Sequence, residues 1–319
     1  MTAPSAPVRV LFAARPTVWD EYREILPAAL AEAGMRAEVL PPDAAPDPAT
    51  IDWIVYAPNS ALQDFAPFSR LKGVLNLWAG VEDVEGNPTL RAPLARMVDE
   101  GLTRGMVEWV TGHVLRHHLG MDAQIVNPDR SWHATPPPLA PDRPVAMLGM
   151  GVLGGACAAT LAGLGFPVTG WSRAPRAVPG VRSLTGADGL SEAVSGASIV
   201  VLLLPHTRAT EGLVDAALLA QFRPGTVLLN PARGAIVDDD ALIAALDAGH
   251  VGHATLDTFR TEPLPDDHPY WTHPRVTVTP HIASATRPAG AARVIADNIR
   301  RGEVGLPLRH LVDRREALA

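Results

Sequence analysis

Short apolar runs alternate with amphipathic stretches along most of the chain, the pattern of α/β architecture. In the first third the spacing predicts strands at 8–13, 37–40, 51–56 and 71–77, with one helix over 18–33. The fourth strand runs into "WAGVE", which reads as a turn. Residues 104–119 are helical and amphipathic, suited to connecting two domains. Residues 127–144, "NPDRSWHATPPPLAPDRP", are proline-rich and aperiodic, so a long surface excursion is expected there. A second alternating series starts at Val145. It predicts strands at 145–148, 167–171, 198–203, 226–229, 252–256 and 276–278, and helices at 153–164, 211–221 and 239–248. A last helix, over 287–303, is placed to fold back onto the first domain.

Composition narrows the class. The chain has 319 residues, 47% hydrophobic and 19% charged, enough for two domains with substantial cores. A formal charge of −7 argues against nucleic acid as partner. Lys72 is the sole lysine among 27 basic residues. The single cysteine, Cys157, excludes an intrachain disulfide and suits packing beside the glycine loop described next. The N-terminal stretch lacks the basic and apolar regions of a signal peptide, and "IVVLLLP" is too short to span a bilayer. A soluble, cytoplasmic protein with no membrane partner is expected.

"VAMLGMGVLGGACAATLAGLGFPVTGWSR" sets Gly149, Gly151 and Gly154 in a G-x-G-x-x-G pattern between a strand and a helix, with a second strand following. That is the context a dinucleotide-binding βαβ unit requires. Gly149 allows the tight turn, Gly151 the approach of a pyrophosphate, and Gly154 close helix–strand packing. Val152 and Leu153 begin the helix whose positive end holds the phosphates. An NAD site usually carries Asp or Glu at the end of the second strand. Here Ser172 and Arg173 stand there, with Arg176 nearby and no acidic residue between Phe166 and Val181. A hydroxyl and guanidinium attract a 2′-phosphate that a carboxylate repels, so the expected cofactor is NADPH, with NADH bound less well.

Three polar residues follow at strand ends or loops of this second half: Arg233, Glu262 and His281. Together with a nicotinamide they suit reduction of a 2-oxo acid. The planar guanidinium can hold a carboxylate and polarise the carbonyl. The imidazole can supply the proton. A glutamate on its other ring nitrogen would fix the tautomer and favour the imidazolium. Asp257 is placed to accept from the nicotinamide carboxamide. His113 and His117 are four apart, a metal-ligand spacing. Without an H-E-x-x-H setting or a cysteine partner they read as structural.

At these residues a resemblance enters. "GMGVLG", "LLNPARGAIVDDDALIAALDAG", "LDTFRTEPLP" and "HPRVTVTPHIASATRP" resemble the D-2-hydroxyacid dehydrogenase family. "GWSR", "HPYWTHPRVTVTPH", "ATRPA" and "LVDRR" are similar to its glyoxylate/hydroxypyruvate reductase A branch. The resemblance implies two doubly wound parallel-sheet domains. A Rossmann nucleotide domain, 105–287, is inserted into a flavodoxin-like substrate domain, 1–104 plus 288–319. It assigns Arg233 to substrate binding, His281 to acid/base catalysis and Glu262 to its support. It places carboxylate-binding amides on the loop of Trp78, Ala79, Gly80 and Val81, and counts Leu204 and Pro205 in the cofactor site. It also implies a homodimer formed through the nucleotide domain and an arm, here the proline-rich excursion. Trp78 is bulky for its position; narrowing the pocket toward two- and three-carbon oxo acids and packing beneath the loop are both open.

The expected activity is therefore NADPH-dependent reduction of glyoxylate or hydroxypyruvate to the 2-hydroxy acid. A 2-hydroxyacid dehydrogenase of different substrate range is the rival within the enzyme class. A dinucleotide-sensing protein without catalysis is the rival outside it.

Overall fold

Alternate residues of each central strand enter different cores, so both sheets are covered on two faces, as parallel sheets require. The computed structural model describes residues 6–132 and 134–314. The first five residues of the N-terminal stretch, His133 of the proline-rich excursion and Arg315 of "LVDRR" lie outside them. The chain divides into two units, residues 1–102 with 286–319 and residues 103–285.

The first unit contains β1 (Val8–Ala13), α1 (Pro16–Tyr22), α2 (Ile25–Glu32), β2 (Ala37–Leu40), β3 (Trp53–Tyr56), β4 (Gly73–Asn76), α3 (Glu82–Glu85) and β5 (Leu94–Ala95). Its sheet is parallel, in the order β2-β1-β3-β4-β5. Val10, Phe12, Trp53 and Val55 face one core, and Leu11, Ile54 and Tyr56 the other. The single helix expected over 18–33 is two helices, broken at Arg23 and Glu24. Pro27 is the physical reason. It lacks an N–H and crowds the carbonyl four residues back, so it fits only the first turn of a helix, and α2 restarts at Ile25 to put it there.

The helix α4 (Glu100–Leu119) follows, then α5 (Met121–Ile125). The second unit continues with β6 (Val145–Leu148), α6 (Val152–Gly163), β7 (Val168–Trp171), β8 (Val181–Leu184), α7 (Gly186–Gly196), β9 (Ile199–Leu202), α8 (Ala216–Leu219), β10 (Thr226–Asn230), α9 (Asp239–Asp247), β11 (Val251–Leu256) and β12 (Val276–Val278). The parallel sheet runs β12-β11-β10-β9-β6-β7-β8. Ala146, Leu148, Val200 and Leu202 face α7 and α9; Val145, Met147, Ile199 and Val201 face α4 and α6. Cys157 is fully buried in the latter core, and burial pushes its thiol up to about 12. The final helix, α10 (Pro288–Glu303), belongs to the first unit and packs Ala292, Ile295 and Ile299 into the core shared with α2.

Another expected helix, 211–221, shrinks to the four residues of α8. Gly212 is left-handed (φ 59°), the Val214 amide donates to the Ile236 carbonyl, and Asp215 caps the Leu218 amide. The segment before α8 is thus committed to a turn and a bridge.

Both sheets change direction at an inner strand. The strand order reverses between β6 and β9 in the second unit, and such a switch point opens a crevice at the carboxyl ends of the strands. No helix among the described residues is long and apolar enough to cross a membrane.

Candidate active site

The carboxyl ends of the second unit's strands carry nearly every residue singled out in the sequence. Gly149 follows β6, Ser172 follows β7, Leu204 and Pro205 follow β9, Arg233 follows β10, Asp257 follows β11 and His281 follows β12. Trp78, Ala79 and Gly80 follow β4 in the first unit.

The glycine loop has the form a pyrophosphate needs. Gly149 has φ 106°, and a Cβ there would lie 2.4 Å from the Leu203 carbonyl oxygen. A Cβ on Gly154 would lie 1.8 Å from the Gly149 oxygen. At Gly151 the corresponding space is open. Gly151 is the N-cap of α6 and supplies no side-chain cap, and no acidic residue stands in the first turn. Uncapped amides at the positive end of a helix suit a phosphate. Val152 is half-exposed beside them. At the end of β7 the Ser172 hydroxyl donates to the Ala174 carbonyl (2.7 Å), and the Arg176 amide donates to Ser183 Oγ (3.2 Å). Arg173 and Arg176 are exposed there.

Arg233 opens the turn after β10. Asn230 shapes it from beneath: its Nδ2 donates to the Arg233 carbonyl (3.0 Å), and its Oδ1 accepts from the Ala232 amide (3.1 Å). Arg233 Nη1 donates to the Ala232 carbonyl at 2.7 Å. A Cβ on Gly234 would lie 2.0 Å from the Phe259 carbonyl carbon, so glycine lets this turn abut the segment leading to Glu262. Glu262 Oε1 accepts from the Phe259 amide (2.9 Å), and its Oε2 accepts from His281 Nδ1 (2.7 Å). The pair is half-exposed, at 35% and 50% for the two side chains. With Nδ1 engaged, Nε2 is the imidazole atom that can exchange a proton with a substrate.

His281 has left-handed backbone (φ 53°), an uncommon state for a non-glycine residue. Asp257 holds it there. Asp257 Oδ1 accepts from Thr279 Oγ1 (2.6 Å) and the Ile282 amide (2.9 Å), and Oδ2 accepts from the Ala283 amide (2.9 Å). The carboxylate is fully buried. Its visible work is fixing the loop on both sides of the histidine.

In the first unit, Asn76 plays the part of Asn230. Its Nδ2 donates to the carbonyls of Trp78 (2.9 Å) and Gly80 (2.7 Å), while the Trp78 side chain stays 41% exposed. Neither asparagine stood among the candidate site residues; each is the last residue of a strand before a turn, and that was the available signal. His117 and His253, in contrast, belong to the α4 face of the sheet. Their rings lie 4.9 Å apart, His117 Nε2 is 2.9 Å from Thr255 Oγ1, and His253 Nε2 is 2.9 Å from Thr277 Oγ1.

Residues 111–283 match the family model described as D-isomer specific 2-hydroxyacid dehydrogenase, NAD binding domain. A glyoxylate/hydroxypyruvate reductase A of Serratia proteamaculans is 40% identical over 252 residues, 76% of this chain and 80% of that protein. The corresponding reductase of Photorhabdus laumondii is 40% identical over 260 residues, 79% of this chain and 82% of its own. Among solved structures, a D-isomer specific 2-hydroxyacid dehydrogenase from Xanthobacter autotrophicus in complex with NADPH and MES is 37% identical. It aligns with a TM-score of 0.88 over 98% of this chain and 100% of its own. An NADPH-dependent glyoxylate/hydroxypyruvate reductase from Sinorhizobium meliloti, in complex with NADP and sulfate, is 35% identical, with a TM-score of 0.86 over 98% and 100% of the two chains.

Proposed function

Because the chain belongs to the D-isomer specific 2-hydroxyacid dehydrogenase family, a family of NAD(P)-dependent oxidoreductases, we propose that it reduces small 2-oxo acids such as glyoxylate and hydroxypyruvate, with NADPH as cofactor. The observation that carries this reading is the Glu262–His281 bond beside a turn that begins with Arg233. The names of the relatives support the choice of substrate, and the solved complexes with NADPH and NADP support the cofactor.

The residues fit the dinucleotide. Gly151, Val152 and Leu153 would receive the pyrophosphate at the uncapped head of α6, while Gly149, whose amide donates to the Trp171 carbonyl (2.9 Å), and Gly154 would shape the loop around it. Ser172, Arg173 and Arg176 would receive the 2′-phosphate and Leu204 and Pro205 would line the site. Asp257, fully buried and bonded to Thr279, Ile282 and Ala283, would act through the loop it holds and not by accepting from the carboxamide. When bound, the reduced nicotinamide supplies the hydride. Arg233 holds the substrate carboxylate through its planar fork and draws electron density toward the carbonyl oxygen. His281 Nε2 delivers a proton to that oxygen as negative charge develops. Glu262 keeps Nδ1 protonated and the ring aimed, and stabilises the imidazolium that donates. Hydride and proton together convert the 2-oxo acid to the 2-hydroxy acid.

The test is a steady-state panel of glyoxylate, hydroxypyruvate, pyruvate and phenylpyruvate with NADPH and with NADH, followed by loss of absorbance. Consumption of NADPH with glyoxylate and hydroxypyruvate supports the assignment. Binding of NADPH without consumption identifies a sensor instead. The partner is a second copy of the chain: Ile125, Val126, Trp132 and Leu139 are exposed apolar side chains on one 15-residue segment, where Trp132 is 94% exposed. Light scattering of the purified protein at twice the monomer mass is the expected result.

A further inference from the structure

Arg260 stands between the two pieces of the proposed machinery and belongs to neither. Its Nη2 donates to the carbonyls of Ala235 (3.1 Å) and Val237 (3.2 Å), both in the turn that Arg233 opens. Its Nη1 donates to Glu211 Oε1 at 3.0 Å. The other oxygen of Glu211 bonds His206 Nε2, on the segment that follows β9. Hydrogen bonds from His206 and Arg260 hold the Glu211 carboxyl below its ordinary range, so it is charged when it aims the guanidinium. The Ala235 carbonyl also accepts from the Gly212 amide (2.8 Å), next to Glu211. Three strand-end segments, after β9, β10 and β11, therefore converge on one arginine.

Holding the fold is a poor account of this network. Arg260 and Glu211 keep 40% and 47% of their side chains exposed, and ion pairs that open to water contribute little to stability. Fixing a distance is a better one. A guanidinium can span two carbonyls and a carboxylate in one plane, which an ammonium cannot. Arg260 is also two residues from Glu262, whose position depends on the Phe259 amide.

We propose that Arg260, aimed by Glu211, is a positioning residue that sets the separation between the Arg233 turn and the Glu262–His281 pair, and that the Glu211–His206 bond ties this separation to the segment carrying Leu204 and Pro205. The inference rests on the reading of Arg233, Glu262 and His281 given above. Small misplacements of reacting groups are costly, up to about 100-fold for 1 Å.

The experiment has two arms on the full chain. In the first, kinetics of Arg260→Met, Arg260→Lys, Glu211→Ala and the Met/Ala double variant are measured with glyoxylate and NADPH. Arg260→Met is expected to lower kcat about 10-fold and to raise the isotope effect from NADPH deuterated at the transferred position, with NADPH affinity and Tm little changed. Lysine gives no rescue, and the double variant is no worse than the worse single one. In the second arm, hydrogen exchange of residues 234–237 is followed without substrate. Exchange is expected to be faster in Arg260→Met, and added NADPH is expected to slow it in the wild type but not in Glu211→Ala. Unchanged exchange in Arg260→Met, or additive kinetic losses in the double variant, overturns the proposal. A wild type that consumes NADPH with no 2-oxo acid overturns the reaction assignment instead, and the exchange arm then decides the positioning role by itself.

Discussion

The His281 amide donates to the Asp257 carbonyl at 2.8 Å, while the Asp257 carboxylate takes hydrogen bonds from the residues on either side of His281. One buried acid thus holds one imidazole in a backbone state it would otherwise leave. Asp257→Asn keeps the shape but cannot accept at both positions, because its amide nitrogen only donates. We expect kcat to fall about 10- to 100-fold while the protein still folds. Wild-type turnover in that variant would show that the loop is held by other means.

His281→Ala should lower turnover by about two to four orders of magnitude, the usual contribution of a positioned acid, and leave NADPH affinity nearly intact. Glu262→Gln should cost less, because the amide can still bond Nδ1 but no longer stabilises a charged ring. Fluorescence titration of NADPH alongside kcat separates the two effects; a loss confined to cofactor affinity would contradict the assigned role.

The glycines give a paired test. Gly154→Ala drives a methyl into the Gly149 carbonyl and should destabilise the protein by about 1–3 kcal/mol. Gly151→Ala meets open space, so Tm should hold while NADPH affinity drops. Equal effects on Tm would mean that the space at Gly151 serves the fold and not a ligand.

Exchanging Arg173 for Asp places a carboxylate where the 2′-phosphate is proposed to lie. The ratio of kcat/KM for NADPH over NADH should fall at least 10-fold. An unaltered ratio would put the 2′-phosphate elsewhere.

Acid stability follows from the imidazoles on the α4 face. Burial, with neighbouring positive charge, lowers His117 to about 3 and His253 to about 4, from the usual 6.5. Unfolded, both rings take up protons near pH 6.5; folded, they resist to much lower pH. The stabilisation is therefore complete above pH 6.5 and is lost as pH falls, toward about 4 for His253 and about 3 for His117. Tm should decline through that window, and the decline should be shallower for a variant carrying His117→Gln and His253→Gln. Parallel curves would assign the acid sensitivity to other groups.

Much of this was readable from the residues. Central strands such as β6 and β9 are continuous aliphatic runs because both faces are buried, and burial is what composition records best. β8 was not anticipated: "VRSL" sits at a sheet edge with its side chains partly exposed, so hydrophobicity carries little signal. Helix α7 was missed for another reason, since "GADGLSEAVSG" holds three glycines and is kept helical by Leu190, Ala193 and Val194 against the sheet. Arg233, Glu262 and His281 stood out in the sequence as candidate chemistry, and the structure bonds Glu262 to His281. Asn230, Asn76, Glu211 and Arg260 were not, because their partners are backbone atoms and side chains that only the folded chain brings near.

The sulfhydryl of Cys157 lies sealed beneath the helix that follows the glycine loop. The thiolate is the nucleophile toward alkylating reagents and burial suppresses it, so alkylation must wait for α6 to lift from its sheet. The alkylation rate is therefore a clock for that opening, built into the chain with no competing cysteine to blur it. A dinucleotide clasped by the amides at the head of α6 should make the clock run slower.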